Sequence, residues 1–361
     1  MKLDGLDTPS VLVDVDIMTA NLDRLARYCR DHGLHLRPHV KTHKIPELAR
    51  LQVEKGAVGV TVAKLGEAEV MSEAGLDDLM LAYPPIGEAK ARRLRAVLER
   101  ARVSVSLDSE EAVATTGRAA DGARIPVYVE IDLGARRCGV PPGPEAVRLA
   151  RLIEATPGLD FEGLMFYPGH VHPDFDGNAD TLEKLVGDLQ RLLELFAAEK
   201  FPIPWISGGS TPSAPYCHRI PGLDEMRPGT YIFNDRNTLE WKTCTEEQCA
   251  ASLLVTVISN AVSGRVIVDG GSKTFSSDPL GPGTRKGHGL VKGYPEMTLF
   301  FMNEEHGFLE LPPGVRLKVG QRLRIVPNHI CGAVNLHDVV FPYRGQEVLG
   351  EWTVEARGRI R

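Results

Sequence analysis

The chain has 361 residues, 43% hydrophobic and 25% charged, an ordinary globular composition with enough length for one large domain and a smaller one. Lys plus Arg number 42 against 48 Asp plus Glu, a formal charge of -6, which excludes a global basic field for nucleic acid or an anionic membrane. The six cysteines are scattered without a CxxC pair, no apolar signal segment opens the sequence, and no apolar run approaches the roughly 20 residues of a membrane-spanning helix. The expectation is a reduced, cytoplasmic protein with neither nucleic acid nor a membrane as partner.

In chain order, TPSVLVDVD reads as a strand, and DIMTANLDRLARYCRDHG reads as a helix that Asp16 or Thr19 would cap. From residue 34 onward β-branched runs alternate with amphipathic stretches. Eight strands are expected, at 34–40, 58–63, 79–84, 103–108, 125–132, 161–167, 204–209 and 229–233. Helical patterns separate all but the last two, which are joined by TPSAPYCHRIPGLDEMRP, a loop-like segment. Eight parallel strands close naturally, and no GxGxxG follows the first strand, so a (β/α)8 barrel is favoured over an open doubly wound sheet. After about residue 245 the character changes to strand-like runs between Gly/Pro turns. The division predicted is a barrel over 14–245 and an antiparallel β domain over 246–361, with segment 1–13 a candidate extra strand of the latter.

Polar residues at the C-terminal ends of barrel strands are the candidates for chemistry. They are His39 and Lys41 after strand one, Tyr83 after three, Asp108 after four, Asp132, Arg136 and Arg137 after five, and Tyr167, His170 and His172 after six. Gly208, Gly209, Ser210 and Thr211 follow strand seven, and Gly229, Thr230 and Tyr231 open strand eight, in the part of a barrel that commonly grips phosphate through backbone N–H groups and hydroxyls. Each of these glycine turns taken alone is equally well a tight connection. Lys41 lies among other cations at a strand end, a setting that raises the fraction of free amine able to form an imine. An imine lysine opposite a phosphate grip points to pyridoxal 5'-phosphate. In PNHICGAVNLHD, His329 and Cys331 alternate along an expected strand end, so both would face one side and could share a divalent ion with open positions left for substrate. A buried histidine beside a structural cysteine is the plainer reading of HxC alone.

These motifs together resemble the family of D-threonine aldolase and eukaryotic-type D-serine dehydratase, pyridoxal-phosphate enzymes that share the alanine racemase barrel. The resemblance runs from DTPSVLVDVD through RPHVKTHK, RRCGV, GGST, RPGTYIF, VIVDGGSK and NEEHG to VPNHICGAVNLHD and EARGR. It implies that Lys41 carries the cofactor, that Arg137 and Tyr167 lie beside it, that 208–211 and 229–231 grip its phosphate, and that His329 and Cys331 bind a divalent metal (Mn, Mg or Zn). It further implies a homodimer with the active site at the interface and a small D-β-hydroxy amino acid as substrate. The aldolases of the family place an aspartate where Cys331 stands, so this residue leans towards the dehydratases, while DGGSK and NEEHGFLEL lean towards the aldolases. The expected chemistry is metal-dependent retro-aldol cleavage to glycine and an aldehyde, with His170 or His172 as candidate base on the β-hydroxyl. Dehydration to a keto acid and ammonia is the runner-up, and a noncatalytic pyridoxal-phosphate-binding barrel is a further alternative. Asp338 is a candidate to orient a histidine ligand.

Overall fold

The computed structural model describes residues 1–173, 178–281 and 286–361. They form two compact units, one comprising Leu25–Lys41, Pro46–Gly229 and Gly358–Arg361, the other Met1–Arg24, Thr42–Ile45 and Thr230–Arg357.

Strand β1 (Ser10–Asp14) belongs to the second unit. The first unit is built on β2 (His35–Leu36), β3 (Val60–Val62), β4 (Asp78–Leu81), β5 (Arg102–Leu107), β6 (Ile125–Ile131), β7 (Leu159–Phe166), β8 (Trp205–Gly208) and β9 (Glu225–Met226). All are parallel, in the order β2-β9-β8-β7-β6-β5-β4-β3. A parallel bridge between His39 and Thr61, with Val58 N–H donating to Leu36 O at 2.9 Å, joins the two ends and closes the barrel. Its helices bury one stripe each. In Asn178–Ala198 the buried Leu182, Leu185, Leu189, Leu192 and Phe196 recur at alternating three- and four-residue steps, the helical period, and Phe196 packs against Phe161 of β7.

The barrel interior is polar as well as apolar. Glu225 of β9 pairs with Arg37 beyond β2 at 2.7 Å, Arg37 also bonds Asp78, and Ser207 donates to Glu225 at 2.6 Å. Two residues further along β9, towards the mouth, Arg227 donates to Phe166 O at 2.9 Å and to the Ser207 hydroxyl. The alternation of side chains along a strand stacks these as two layers, Arg37 and Glu225 below, His39 and Arg227 above.

Two local expectations are corrected. The eighth strand is Glu225–Met226, not 229–233, and its preceding connection holds only the 3-10 turn Ala214–Arg219. The aromatic and β-branched GTYIF imitates a strand, but Phe233 and Asn234 N–H both donate to Thr230 O, and Asn234 is left-handed (φ 54°), so the segment coils into the 3-10 turn Thr230–Ile232. Gly229 therefore follows the last strand and lies at its C-terminal side. The first helix, Val15–Asp31, is capped by Asp14, whose Oδ1 accepts from Asp16 and Ile17 N–H at 3.1 and 3.2 Å, and not by Asp16 or Thr19.

In the second unit β10 (Ala251–Ser259), β11 (Arg265–Val268), β12 (Gly289–Val291), β13 (Thr298–Met302), β14 (Gly307–Glu310) and β15 (Arg322–Pro327) form an antiparallel ring, closed because β10 pairs with both β11 and β15. Strand β1 runs antiparallel to β10 and parallel to β16 (Val339–Arg344), which in turn pairs with β17 (Glu347–Val348) and β18 (Trp352–Thr353). Leu3, Leu6, Leu12, Leu254, Tyr343 and Val348 share one buried cluster in which this early segment is fixed. No described helix is long and apolar enough to cross a membrane.

Candidate active site

The mouth of the barrel unit gathers cations. Lys41 ends the unit's first segment in the 3-10 turn Val40–Thr42. Arg137 lies with its guanidinium 4.3 Å from the ring centroid of Tyr167 and 4.0 Å from Glu130, so the RRCGV and FYPG segments meet at one place. Arg227 is buried, and burial lowers its pKa against the pull of Glu225 and Glu130. Glu130, buried near the end of β6, is pushed up by desolvation, with Arg227 and Arg137 opposing. His39 is held well below its ordinary value by burial and by Lys41, Arg227 and Arg137. Arg227 and Arg137 thus act on one carboxylate whose ionisation burial opposes, which leaves positive charge at this end of the barrel unit.

The 208–211 turn is shaped by its neighbours. A Cβ on Gly208 would stand 2.3 Å from the Phe166 ring, and Gly209 is left-handed at φ +83°. Ser210 N–H donates to Ser213 Oγ at 2.9 Å, and the buried hydroxyls of Ser210 and Ser213 lie 3.0 Å apart. Buried Thr211 completes the turn, and Gly229 follows β9 in the same unit. After β7, His170 packs on Gly134, where a Cβ would come within 2.9 Å of Nε2, and its Nδ1 is buried with no hydrogen-bond partner among the described residues. Burial lowers the His170 pKa against the pull of Asp132, which favours the uncharged ring. His172 lies in the same post-β7 segment, its Nδ1 also buried.

In the second unit His329 and Cys331 do not alternate along a strand. His329 is the N-cap of a short helix, Ile330–Val334, which begins directly after β15, and Cys331 lies in its first turn. The turn still brings the two side chains together, since the Cys331 sulfur is the largest cause of a His329 pKa raised well above its ordinary value. Cys331 Sγ stands 3.2 Å from Thr42 Oγ1 and 3.9 Å from Thr230 Oγ1, and Tyr231, beside Thr230, is buried. His329 Nδ1 is 2.9 Å from Asp235 Oδ2, which leaves Nε2 as the nitrogen for the side-chain hydrogen bond with Cys331. The orienting carboxylate is therefore Asp235 and not Asp338, which is exposed and ion-paired to Arg357 at 2.5 Å. Asp235 is itself fixed as N-cap of Arg236–Glu240, its side chain accepting from Thr238 N–H at 3.0 Å. Among the described residues no third His, Cys, Asp or Glu joins the pair in a ligand cluster.

Sequence reasoning passed over Asp235, Glu130 and Arg227. The available signals were the D-x-x-T capping pattern in NDRNT, a lone acid inside the apolar strand IPVYVEID, and an arginine two residues before Gly229.

A closed eight-stranded β/α barrel joined to an antiparallel β unit is the architecture of alanine racemase-type enzymes. The sequence family described as alanine racemase, N-terminal domain, matches residues 13–237, and a serine dehydratase domain family matches 250–343. A D-threonine aldolase from an Arthrobacter species is 31% identical, covering 99% of this chain and 94% of its own length. The crystal structure of D-threonine aldolase from Filomicrobium marinum superposes with TM-score 0.91 at 29% identity over 100% of this chain and 98% of that one. A cysteine-to-alanine mutant of D-threo-3-hydroxyaspartate dehydratase, solved in a metal-free form, gives TM-score 0.87 at 29% identity over 98% of both chains. The chain belongs to the alanine racemase-type, pyridoxal-phosphate-dependent family, and within it to the lyases.

The residues present fit such a cofactor, whose phosphate and phenolate are anions that cations such as Lys41, Arg137 and Arg227 can meet. His329 Nε2 and Cys331 Sγ likewise form a nitrogen–sulfur pair of the kind zinc accepts, with Asp235 as the carboxylate behind the histidine.

Proposed function

We propose that the protein cleaves D-β-hydroxy amino acids of the D-threonine type to glycine and an aldehyde. The observation that carries this reading is His170, an imidazole whose buried Nδ1 has no hydrogen-bond partner among the described residues, in the barrel unit that also holds Lys41. Lys41 would hold pyridoxal phosphate, with Arg137 and Tyr167 flanking it and 208–211 and 229–231 gripping its phosphate. The bound cofactor supplies an electron sink for a carbanion at Cα. His329 and Cys331 would hold a divalent metal, which acidifies a hydroxyl when bound. His170 receives the β-hydroxyl proton, the proton whose loss lets the Cα–Cβ bond break, and His172 stands in the same segment as its alternate. Burial lowers the His170 pKa and so favours the unprotonated form that a base needs.

Cys331 favours a second reading, dehydration, because the similar dehydratase was solved metal-free as a cysteine mutant. Here the α-proton is removed in place of the β-hydroxyl proton, and the products are a keto acid and ammonia. Incubation with D-threonine, D-serine and D-threo-3-hydroxyaspartate, with and without chelator, separates the two. Glycine plus aldehyde, lost on chelation, supports the proposal, and keto acid plus ammonia overturns it in favour of the second reading.

The proposal includes a homodimer, as the family resemblance implies, and a cytoplasmic setting, which suits six cysteines that form no disulfide. Light scattering of the purified protein checks the former.

A further inference from the structure

Apart from the residues assigned above, the antiparallel unit holds a cleft of about 480 Å³ whose walls carry Lys292, Arg322 and Arg324, with Tyr294, Gln321 and Glu246 beside them. The sequence itself pairs two of these cations. RLRIVP is strand β15, whose alternation buries Leu323 and Ile325 and turns Arg322 and Arg324 together to the other face. Lys292 joins them because it directly follows β12, the neighbouring strand, and its N–H donates to Arg324 O at 2.9 Å.

Each cation is held in place by uncharged oxygens. Arg322 donates to Leu3 O at 2.7 Å and to Leu6 O, Arg324 to the Tyr343 hydroxyl at 2.6 Å, and Lys292 to Cys249 O at 3.5 Å. Neutral acceptors orient a cation without cancelling its charge. None of the three forms an ion pair with an acidic residue among the described residues. Glu246 is the one acid among the described residues that line the cleft. Three positioned cations against one carboxylate leave a local positive excess in a chain whose formal charge is -6, and a concave wall of one sign focuses its field on an ion that enters.

We propose that this cleft binds a phosphate dianion, free or as the ester of a small molecule. A phosphate group carries about -1.5 to -2 charge at pH 7, which matches the excess, and it accepts from several donors at once. Arg324 keeps guanidinium N–H groups beyond the one given to Tyr343, and Lys292 keeps ammonium N–H groups beyond the one given to Cys249. The cleft is of the size that takes a small organic ligand, so it leaves room for a body beside the phosphate. None of its residues belongs to the 208–211 and 229–231 segments proposed for the cofactor.

The test uses the protein loaded with pyridoxal phosphate, so that the cofactor's own anion site is filled. It is titrated calorimetrically with inorganic phosphate and with ribose 5-phosphate, at constant ionic strength set by sodium chloride. Lys292→Gln is expected to weaken binding by about tenfold, the loss of one charge-assisted contact. Glu246→Gln is expected to tighten it, because the repelling carboxylate is gone. Both substitutions spare the oxygens that hold Arg322 and Arg324. Tighter binding of ribose 5-phosphate than of phosphate assigns the site to an ester, and equal binding assigns it to free phosphate. The proposal is overturned if the folded parent shows no saturable binding of either anion, or if both variants bind as the parent does. Should Lys292→Gln fail to fold, Glu246→Gln decides alone, with tighter binding in favour and unchanged binding against.

Discussion

Asp235 Oδ2 accepts from two successive places on one short turn, His329 Nδ1 at 2.9 Å and Ile330 N–H at 3.1 Å, and so fixes both the ring and the backbone of the proposed metal ligand. Asp235→Asn is expected to weaken divalent metal binding by about 10- to 100-fold, because the histidine loses its anionic partner. Asp338→Asn, which breaks only the ion pair to Arg357, is expected to bind as the parent does. Calorimetric zinc titration of the two variants makes the comparison, and equal losses would contradict the role given to Asp235.

The stack of Arg137 on Tyr167 requires a planar cation. Arg137→Lys keeps the charge and loses the stack, which at an exposed site is worth roughly 1 kcal/mol, about a fivefold change in affinity. Cofactor binding followed by absorbance should weaken by about that factor, whereas an unchanged affinity would show the stack to be incidental.

Gly208 has no room for a methyl group, since its Cβ would fall 2.3 Å from the Phe166 ring. Gly208→Ala is expected to destabilise the fold by about 1–3 kcal/mol through overpacking. Gly187→Ala, inside the helix Asn178–Ala198, where a Cβ would meet only Arg191 Nη1 at 3.5 Å, serves as the comparison and should not destabilise the fold. Urea midpoints of both variants measure the difference.

Burial lowers the pKa of His337, whose Nε2 lies 3.1 Å from Thr274 O as a neutral donor. The unfolded chain binds this proton near pH 6.5 and the folded chain does so only at lower pH, so His337 stabilises above that value and the contribution is lost as pH falls. Its share of the slope is at most about 1.4 kcal/mol per pH unit. His329 acts in the opposite sense, because Cys331 raises its pKa, so the informative quantity is the difference between parent and His337→Gln. That difference should shrink from pH 7.5 to 5.5 in urea titrations, and a constant difference would show that His337 does not titrate on unfolding.

Most of the barrel was legible because its strands are β-branched runs and its helices carry a clear stripe, as in Asn178–Ala198. Strand β9 was not, since two residues, Glu225–Met226, cannot establish a period, and the neighbouring GTYIF offered a stronger false signal. For His329 and Cys331 the sequence reading brought the right residues together for the wrong geometric reason. A helix N-terminus can appose residues two apart much as a strand does, and HxC alone does not distinguish them. Asp235 escaped because its partner lies 94 positions away, a separation on which local patterns are silent.

The pairing of β1 with β10 and β16 also orders events in time. During synthesis Ser10–Asp14 leaves the ribosome long before its partner Ala251–Ser259 exists. At about 5–20 residues per second the wait is roughly ten seconds to a minute, in which all eight barrel strands emerge. The nascent chain must carry the SVLV edge without that partner throughout the interval, so the segment stays open to other strands until Ala251–Ser259 arrives.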